Sequence, residues 1–255
     1  MKLLNSKQIE KYHKDGFLVV KNIFTREECN NFKKILIEEI EKGKDALQKS
    51  LNKPEDEIDL NKIADVPRKI NEGCLQDIAH RNSKFMSLAK DDRLISIIGQ
   101  LFGNDVKTYC LYRSTSLFKN SKISSETFWH HDMPYWKGKP NKLSIWISLD
   151  KVTKQSGSLR YIPGTHSALY KNILEHGHKT ERIADYWKGK FSNALAKKNI
   201  DESQKVIAEV EIGDMVIHHC CVLHGAEANI LGKERYALIF TYQPCLLYTS
   251  DAADE

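Results

Sequence analysis

From residue 106 to 244 the chain is cut into short runs of β-branched and aromatic residues. Such side chains suit a pleated, half-buried surface, and closely spaced short strands pair antiparallel. Residues 106–118 interleave Val106, Thr108, Tyr109, Tyr112 and Thr115 with polar positions. Residues 142–149 alternate Leu143, Ile145, Ile147 and Leu149, with Trp146 on the opposite face. A period of two buries one face of a sheet. Residues 159–162 form a strand ending at the turn Pro163-Gly164. Residues 206–210 and 215–218 flank the turn Gly213-Asp214, and residues 235–242 read as a last strand.

The first half has a different rhythm. Ser6 caps a short helix to about Lys14, and residues 17–21 read as a strand. Thr25-Arg26-Glu27-Glu28 is a capping box, with apolar residues at Phe32, Ile35, Leu36 and Ile40 at helical spacing. Residues 42–71 are polar, with Pro54 and Pro67, and are expected to form a loop or a mobile lid. Residues 75–88 and 91–102 predict two further helices, the second ended by Gly103. Residues 167–200 read as helix or loop. Helices gathered ahead of short strands make an α+β chain with a barrel or sandwich of strands. No Gly-rich phosphate loop and no Gly-x-Ser-x-Gly elbow is present, which argues against a nucleotide enzyme or an α/β-hydrolase.

At 255 residues, one domain with a substantial core is expected. The net charge of +5 is mild and the lysines are dispersed, so neither a nucleic-acid nor a membrane partner is expected. No apolar run is long enough to span a bilayer, and residues 1–7 lack the apolar core of a signal peptide. The six cysteines show no CxxC spacing, and several sit in apolar runs. Reduced thiols and a cytoplasmic setting are the expectation.

Within the strand-rich half lies Thr127-Phe128-Trp129-His130-His131-Asp132-Met133-Pro134-Tyr135-Trp136. On an extended strand residues i and i+2 share a face, so His130 and Asp132 can reach one metal ion and His131 points away, towards packing or substrate. With a second histidine they would complete the two-His, one-carboxylate facial triad of non-haem Fe(II) oxygenases. A second His-x-Asp, His13-Lys14-Asp15, stands in a polar stretch before Gly16 and reads as solvated helix end. His166, His218, His219 and His224 are the candidates for the third ligand.

Taken together, several segments resemble the phytanoyl-CoA dioxygenase family of Fe(II)/2-oxoglutarate-dependent oxygenases. They are Trp129-His130-His131-Asp132, Trp146-Ile147-Ser148-Leu149-Asp150, Ser156-Gly157-Ser158-Leu159-Arg160-Tyr161-Ile162-Pro163-Gly164-Thr165-His166, and the stretch from Gly213 through His224-Gly225 to Arg235. Gly16-Phe17-Leu18-Val19-Val20 with its capped helix is similar to the family's N-terminal region.

The resemblance implies a double-stranded β-helix (jelly-roll, cupin-like) with N-terminal and flanking helices. It implies Fe(II) on His130, Asp132 and His224, and 2-oxoglutarate held by Arg235, with Trp146 walling its pocket. It implies O2 as co-substrate and hydroxylation of a small molecule with release of succinate and CO2. His166 is then structural, and His218 and His219 belong to the core or support a ligand. Ala226 stands where the family often has a serine that hydrogen-bonds 2-oxoglutarate. The triad carboxylate, which related halogenases lack, favours hydroxylation. A non-catalytic metal- or ligand-binding barrel and a cupin-type zinc hydrolase are the alternative classes. A monomer or homodimer is expected. Residues 1–244 read as the oxygenase domain. Residues 245–255, Cys245 to Glu255, are expected to be a non-native tail, since they read as the translation of a sequencing adapter.

Overall fold

A computed structural model describes residues 2–52, 69–103, 108–176 and 200–245. Helix α1 (Ser6–Asp15) starts one residue earlier than expected, because the Asn5 side chain accepts from the Gln8 N–H while Gln8 reaches back to Asn5. Gly16, in the left-handed region, ends it and feeds β1 (Phe17–Val20). Helix α2 (Arg26–Leu51) opens on the Thr25–Glu28 capping box. It runs about ten residues into the segment expected to be loop. The i,i+3 pairs Glu39–Lys42 and Glu41–Lys44 and the packing of Leu47 against the core carry it on. Residues 53–68 of the expected lid lie outside the described residues, and its end is a 3₁₀ turn (Ile70–Glu72) with Ile70 buried in the core.

The helix expected over 75–88 is broken in three. Cys74–Gln76 forms β2, paired with Leu117 to Thr115. Asp77, with φ of 58°, turns the chain into α3 (Ile78–Arg81), and the Asn82 side chain caps α4 (Ser83–Ala89). Asp and Asn offer the backbone local alternatives to a continuous helix, which helical periodicity alone does not register. Helix α5 (Asp92–Phe102) follows as expected.

The remaining elements are β3 (Tyr109–Lys119), β4 (Thr127–His130), β5 (Leu143–Ser148), β6 (Leu159–Tyr161), α6 (His166–His176), β7 (Val206–Ala208), β8 (Met215–His219), β9 (His224–Ala226) and β10 (Arg235–Pro244). They form a six-stranded sheet, β1-β8-β5-β10-β3-β2, and a four-stranded sheet, β4-β9-β6-β7, with every recorded pairing antiparallel. Leu143, Ile145, Ile147, Met215, Ile217, Leu238 and Phe240 turn outward and pack with the helices in the larger core. Trp146, Val216 and Ala237 turn inward and meet Leu159, Tyr161 and Ala226 of the smaller sheet. Trp146 opposes the Leu143 row, as its alternation requires. The space between the two sheets is where the polar inward residues collect.

Cys110 and Cys245 form a disulfide, which departs from the expectation of six reduced thiols. The ladder Pro244↔Tyr109 and the Cys245 N–H to Thr108 O bond bring them to the end of one strand pair. Residues 104–107, 177–199 and 246–255, including most of the expected tail, lie outside the described residues.

The entry to β8 depends on Gly213. Its φ is +85°, its carbonyl accepts the N–H of both Ile23 and Phe24, and a Cβ there would sit 2.0 Å from the Phe24 carbonyl oxygen. Gly213→Ala adds left-handed strain and a backbone clash, and is expected to cost roughly 2–4 kcal/mol in chemical denaturation. Glu211→Ala, at an exposed position two residues earlier, serves as the control.

Candidate metal centre

His130 and His224 are cross-strand partners at the meeting of β4 and β9, with ring centroids 4.3 Å apart. Each is oriented in the same way. His130 Nδ1–H donates to the Phe128 carbonyl at 2.8 Å and His224 Nδ1–H to the Val222 carbonyl at 3.0 Å. That bond fixes the tautomer and leaves the Nε2 lone pair aimed into the cavity, as a metal ligand needs. Asp132 does not extend the strand. It has helical φ and ψ (−73°, −39°) at the start of a single 3₁₀ turn, and its N–H bonds to the Cys220 carbonyl. The turn still brings Oδ1 to 3.8 Å from His130 Nε2 and Oδ2 to 4.0 Å from His224 Nε2. One donor atom from each of the three lies within 4.8 Å of the others, a span that a single ion can bridge.

Burial raises the cost of the Asp132 charge, and positive charge on the imidazoles of His224, His218 and His130 outweighs it, holding the carboxyl below the usual carboxylate range. His131 faces elsewhere, its Nδ1–H on the Cys221 carbonyl at 2.6 Å. Burial lowers its pKa to about 4.

The inward face continues the site. Arg235 is 2% exposed. One Nη2–H reaches the Gly157 carbonyl at 2.9 Å, while Nε and Nη1 have no partner among the described residues. Burial pulls the guanidinium pKa down to about 10, which leaves it charged at neutral pH. Its carbon lies 5.4 Å from the Trp146 ring, and the indole N–H of Trp146 is likewise buried and unpartnered. Buried donors without acceptors are costly, so this trio fits an anionic acceptor such as a carboxylate. Lys119, opposite Arg235 in the ladder, is instead committed to the Ser125 and Glu227 carbonyls, both at 2.7 Å. Burial, then Arg235 and Arg160, lower its pKa to about 8. His130, Asp132, His224, Trp146, Lys119 and Arg235 line one cavity of about 510 Å³.

A model of the phytanoyl-CoA dioxygenase family matches residues 12–237. The chain belongs to that family. A probable phytanoyl-CoA dioxygenase of Caenorhabditis elegans is 24% identical over 239 residues, 89% of this chain and 71% of that protein. An ectoine dioxygenase of Stutzerimonas stutzeri is 26% identical over 247 residues, covering 92% and 75%. Among solved structures, the α-ketoglutarate-dependent carbocyclase SnoK of nogalamycin biosynthesis superposes with a TM-score of 0.64 at 23% identity, over 94% of this chain and 84% of that one. EctD from S. alaskensis, with 2-oxoglutarate and 5-hydroxyectoine, gives 0.62 at 19% identity, over 95% and 77%. The chain is thus an iron- and 2-oxoglutarate-dependent dioxygenase by family. Among the described residues no helix is long and apolar enough to cross a membrane.

Two residues enter the site more closely than sequence reasoning placed them. His218 Nε2 lies 3.4 Å from Asp132 Oδ2, and His218 Nδ1 bonds to the buried Tyr161 hydroxyl at 3.0 Å. The signal was period two on β8: Val216 faces inward, so His218 does too. His166 is structural as expected, packed under Gly16 with Nε2 on the His13 carbonyl. The second His-x-Asp is surface: His13 is exposed and Asp15 pairs with Lys11.

His219 points outward, where its unprotonated Nδ1 accepts the Cys221 N–H at 3.1 Å. Burial, with His166 nearby, depresses its pKa to about 3. The folded value lies below the unfolded one near 6.5, so this contribution is complete above pH 6.5 and is lost as pH falls towards 3. Stability measured across pH 6.5 to 3 is expected to fall more gently, by up to about one proton in slope, in His219→Gln. An unchanged slope would remove His219 from the acid transition.

Proposed function

We propose that this chain hydroxylates an unactivated C–H bond of a small-molecule substrate, with decarboxylation of 2-oxoglutarate to succinate and CO2. His130, Asp132 and His224 are the metal ligands in this reading, and Arg235 with Trp146 holds the co-substrate. The observation that carries it is the coincidence of two incomplete sets in one cavity. Three metal-type donor atoms face one another within reach of a single ion, and buried nitrogens of Arg235 and Trp146 face the same cavity with no acceptor among the described residues. A divalent ion completes the first set and a carboxylate the second. The two-sheet antiparallel topology supports a double-stranded β-helix as the core.

Bound iron supplies open coordination positions for the 2-oxo acid and O2. The protein's share is positional. The Phe128 and Val222 carbonyls hold both imidazoles in the ligating tautomer. The Arg235 fork takes a carboxylate with two parallel N–H bonds and fixes how far the co-substrate reaches towards the metal. Trp146, 1% exposed, closes that end to water. Ala226 lines the same cavity with a methyl group and adds no hydrogen bond. Ectoine and L-proline are the substrates that the names of two relatives carry, which supports a compact metabolite over a polymer here.

Uncoupled or substrate-stimulated conversion of 2-oxoglutarate to succinate is expected in the iron-loaded protein, and His130→Ala or Asp132→Ala should bring it to background. Full turnover in either variant would refute the ligand assignment. Arg235→Gln is expected to raise the KM for 2-oxoglutarate by roughly 10- to 100-fold, the value of a lost charge-assisted bond. Ala226→Ser, restoring a donor, should lower that KM by about fivefold, since a neutral hydrogen bond is worth near 1 kcal/mol. Initial-rate measurements over a 2-oxoglutarate series check both.

A further inference from the structure

The inward faces of β3 and β10 carry a cation at each end of the cavity. At one end Lys119 opposes Arg235; six residues along β3, roughly 20 Å away at strand rise, Arg113 opposes Thr241. Both ends line the cavity that holds His130, Asp132 and His224. The cations differ in what they already hold. Lys119 is taken up by two carbonyls, and Arg160 by Glu126, Glu227 and the Thr127 carbonyl. Arg113 has one partner among the described residues: its Nε–H donates to Thr115 Oγ1 at 3.0 Å, and no carboxylate pairs with it. That single bond anchors the guanidinium by its inner edge and leaves the two Nη groups for something else.

The backbone supports the aim. Thr241 pairs with Arg113 and Tyr242 with Leu111, so Tyr112 is the extra residue of a β-bulge. A bulge re-aims a neighbouring side chain. Here it turns Leu111 out to the helical core and ends the inward row at Arg113. The adjoining wall is polar as well, with Ser144 and Thr241 sharing a hydrogen bond at 2.9 Å. A half-buried, always-charged fork beside hydroxyls is a recognition surface for an anion, since among the described residues no carboxylate neutralises it.

The geometry points to Arg113 as the specificity-determining residue for the primary substrate, gripping an anionic group of it, carboxylate or phosphate, at the end of the cavity opposite Arg235. This rests on the oxygenase reading above and adds the substrate's charge and its direction of entry. The 2-oxo acid occupies the Arg235 end, and the substrate spans from Arg113 towards the metal ligands. A neutral or cationic substrate would leave Arg113 buried against it without a counter-charge.

Arginine labelling tests the assignment without a known substrate. The nickel- and 2-oxoglutarate-loaded protein is treated with phenylglyoxal, and each arginine is followed by peptide mass. Arg26, exposed on α2, is the internal control. Arg113 is expected to react, and benzoate or phosphate at constant ionic strength should slow its labelling at least about threefold, with benzamide inactive and Arg26 unmoved. Protection by benzoate alone makes the group a carboxylate; protection by phosphate alone makes it a phosphate. Three results overturn the inference: an unreactive Arg113, equal rates with and without the anions, or protection by 2-oxoglutarate itself. The oxygenase reading fails separately, as no calorimetric binding of 2-oxoglutarate to the metal-loaded protein. Labelling of the metal-free protein keeps Arg113 readable in that case.

Discussion

The centre of the molecule is a charge problem. Asp132 is an ionised carboxylate facing the Nε2 atoms of His130, His218 and His224. Two of those rings spend their Nδ1 protons on backbone carbonyls, so as neutral imidazoles they offer Asp132 lone pairs. Lone pairs facing a carboxylate in a low-dielectric cavity repel. Relief comes from a proton on an imidazole or from a divalent cation that all of them can ligate. The strand pairing of β4 with β9 and the Cys220 carbonyl under Asp132 prevent the groups from swinging apart. The fold thus holds together a set that either a proton or a divalent cation would relieve.

His218 adds to this logic. It lies on the same inward row as Val216, and the Tyr161 hydroxyl occupies its Nδ1. Tyr161 in turn stacks on Phe17 at 4.2 Å, nearly parallel. The carboxylate oxygen is therefore steadied through an imidazole, a phenol and a core aromatic. Such outer partners keep a ligating group from rotating and often govern metal affinity.

How much of this can be read from residues alone differs by feature. The alternation around Trp146, the Thr25 capping box and the turn at Gly213 are local patterns, and each stands in the fold as its pattern requires. The candidate metal set and Arg235 were singled out because four separated motifs resembled one family; His-x-Asp by itself occurs twice, and His13 shows that one copy is surface. What local patterns miss is tertiary. Helical spacing over 75–88 does not show that Leu75 pairs with Ser116 on a sheet edge, nor that Asp77 and Asn82 break the chain around it. Polar composition after Lys42 does not reveal that ion pairs and Leu47 extend α2. Reading Asp132 as a strand residue reached the right neighbourhood by the wrong geometry, since a turn and not the pleat brings it to His130.

The two ends of the cavity are coupled through one strand. Arg235, Ala237, Ile239 and Thr241 share the inward face of β10, and a one-residue slip would send all four to the helical core. The outward row of Tyr236, Leu238, Phe240 and Tyr242 forbids that slip, because its apolar burial is lost with it. Register chosen by the hydrophobic core therefore also sets the distance between the Arg235 and Arg113 guanidinium groups. The bulge at Tyr112 is the only departure in the β3–β10 ladder, and it falls where the inward row has to stop. A regular ladder would have put Leu111 into the cavity and buried an alkyl group where Arg113 now ends the row. Packing and recognition are thus constrained by the same hydrogen-bond ladder.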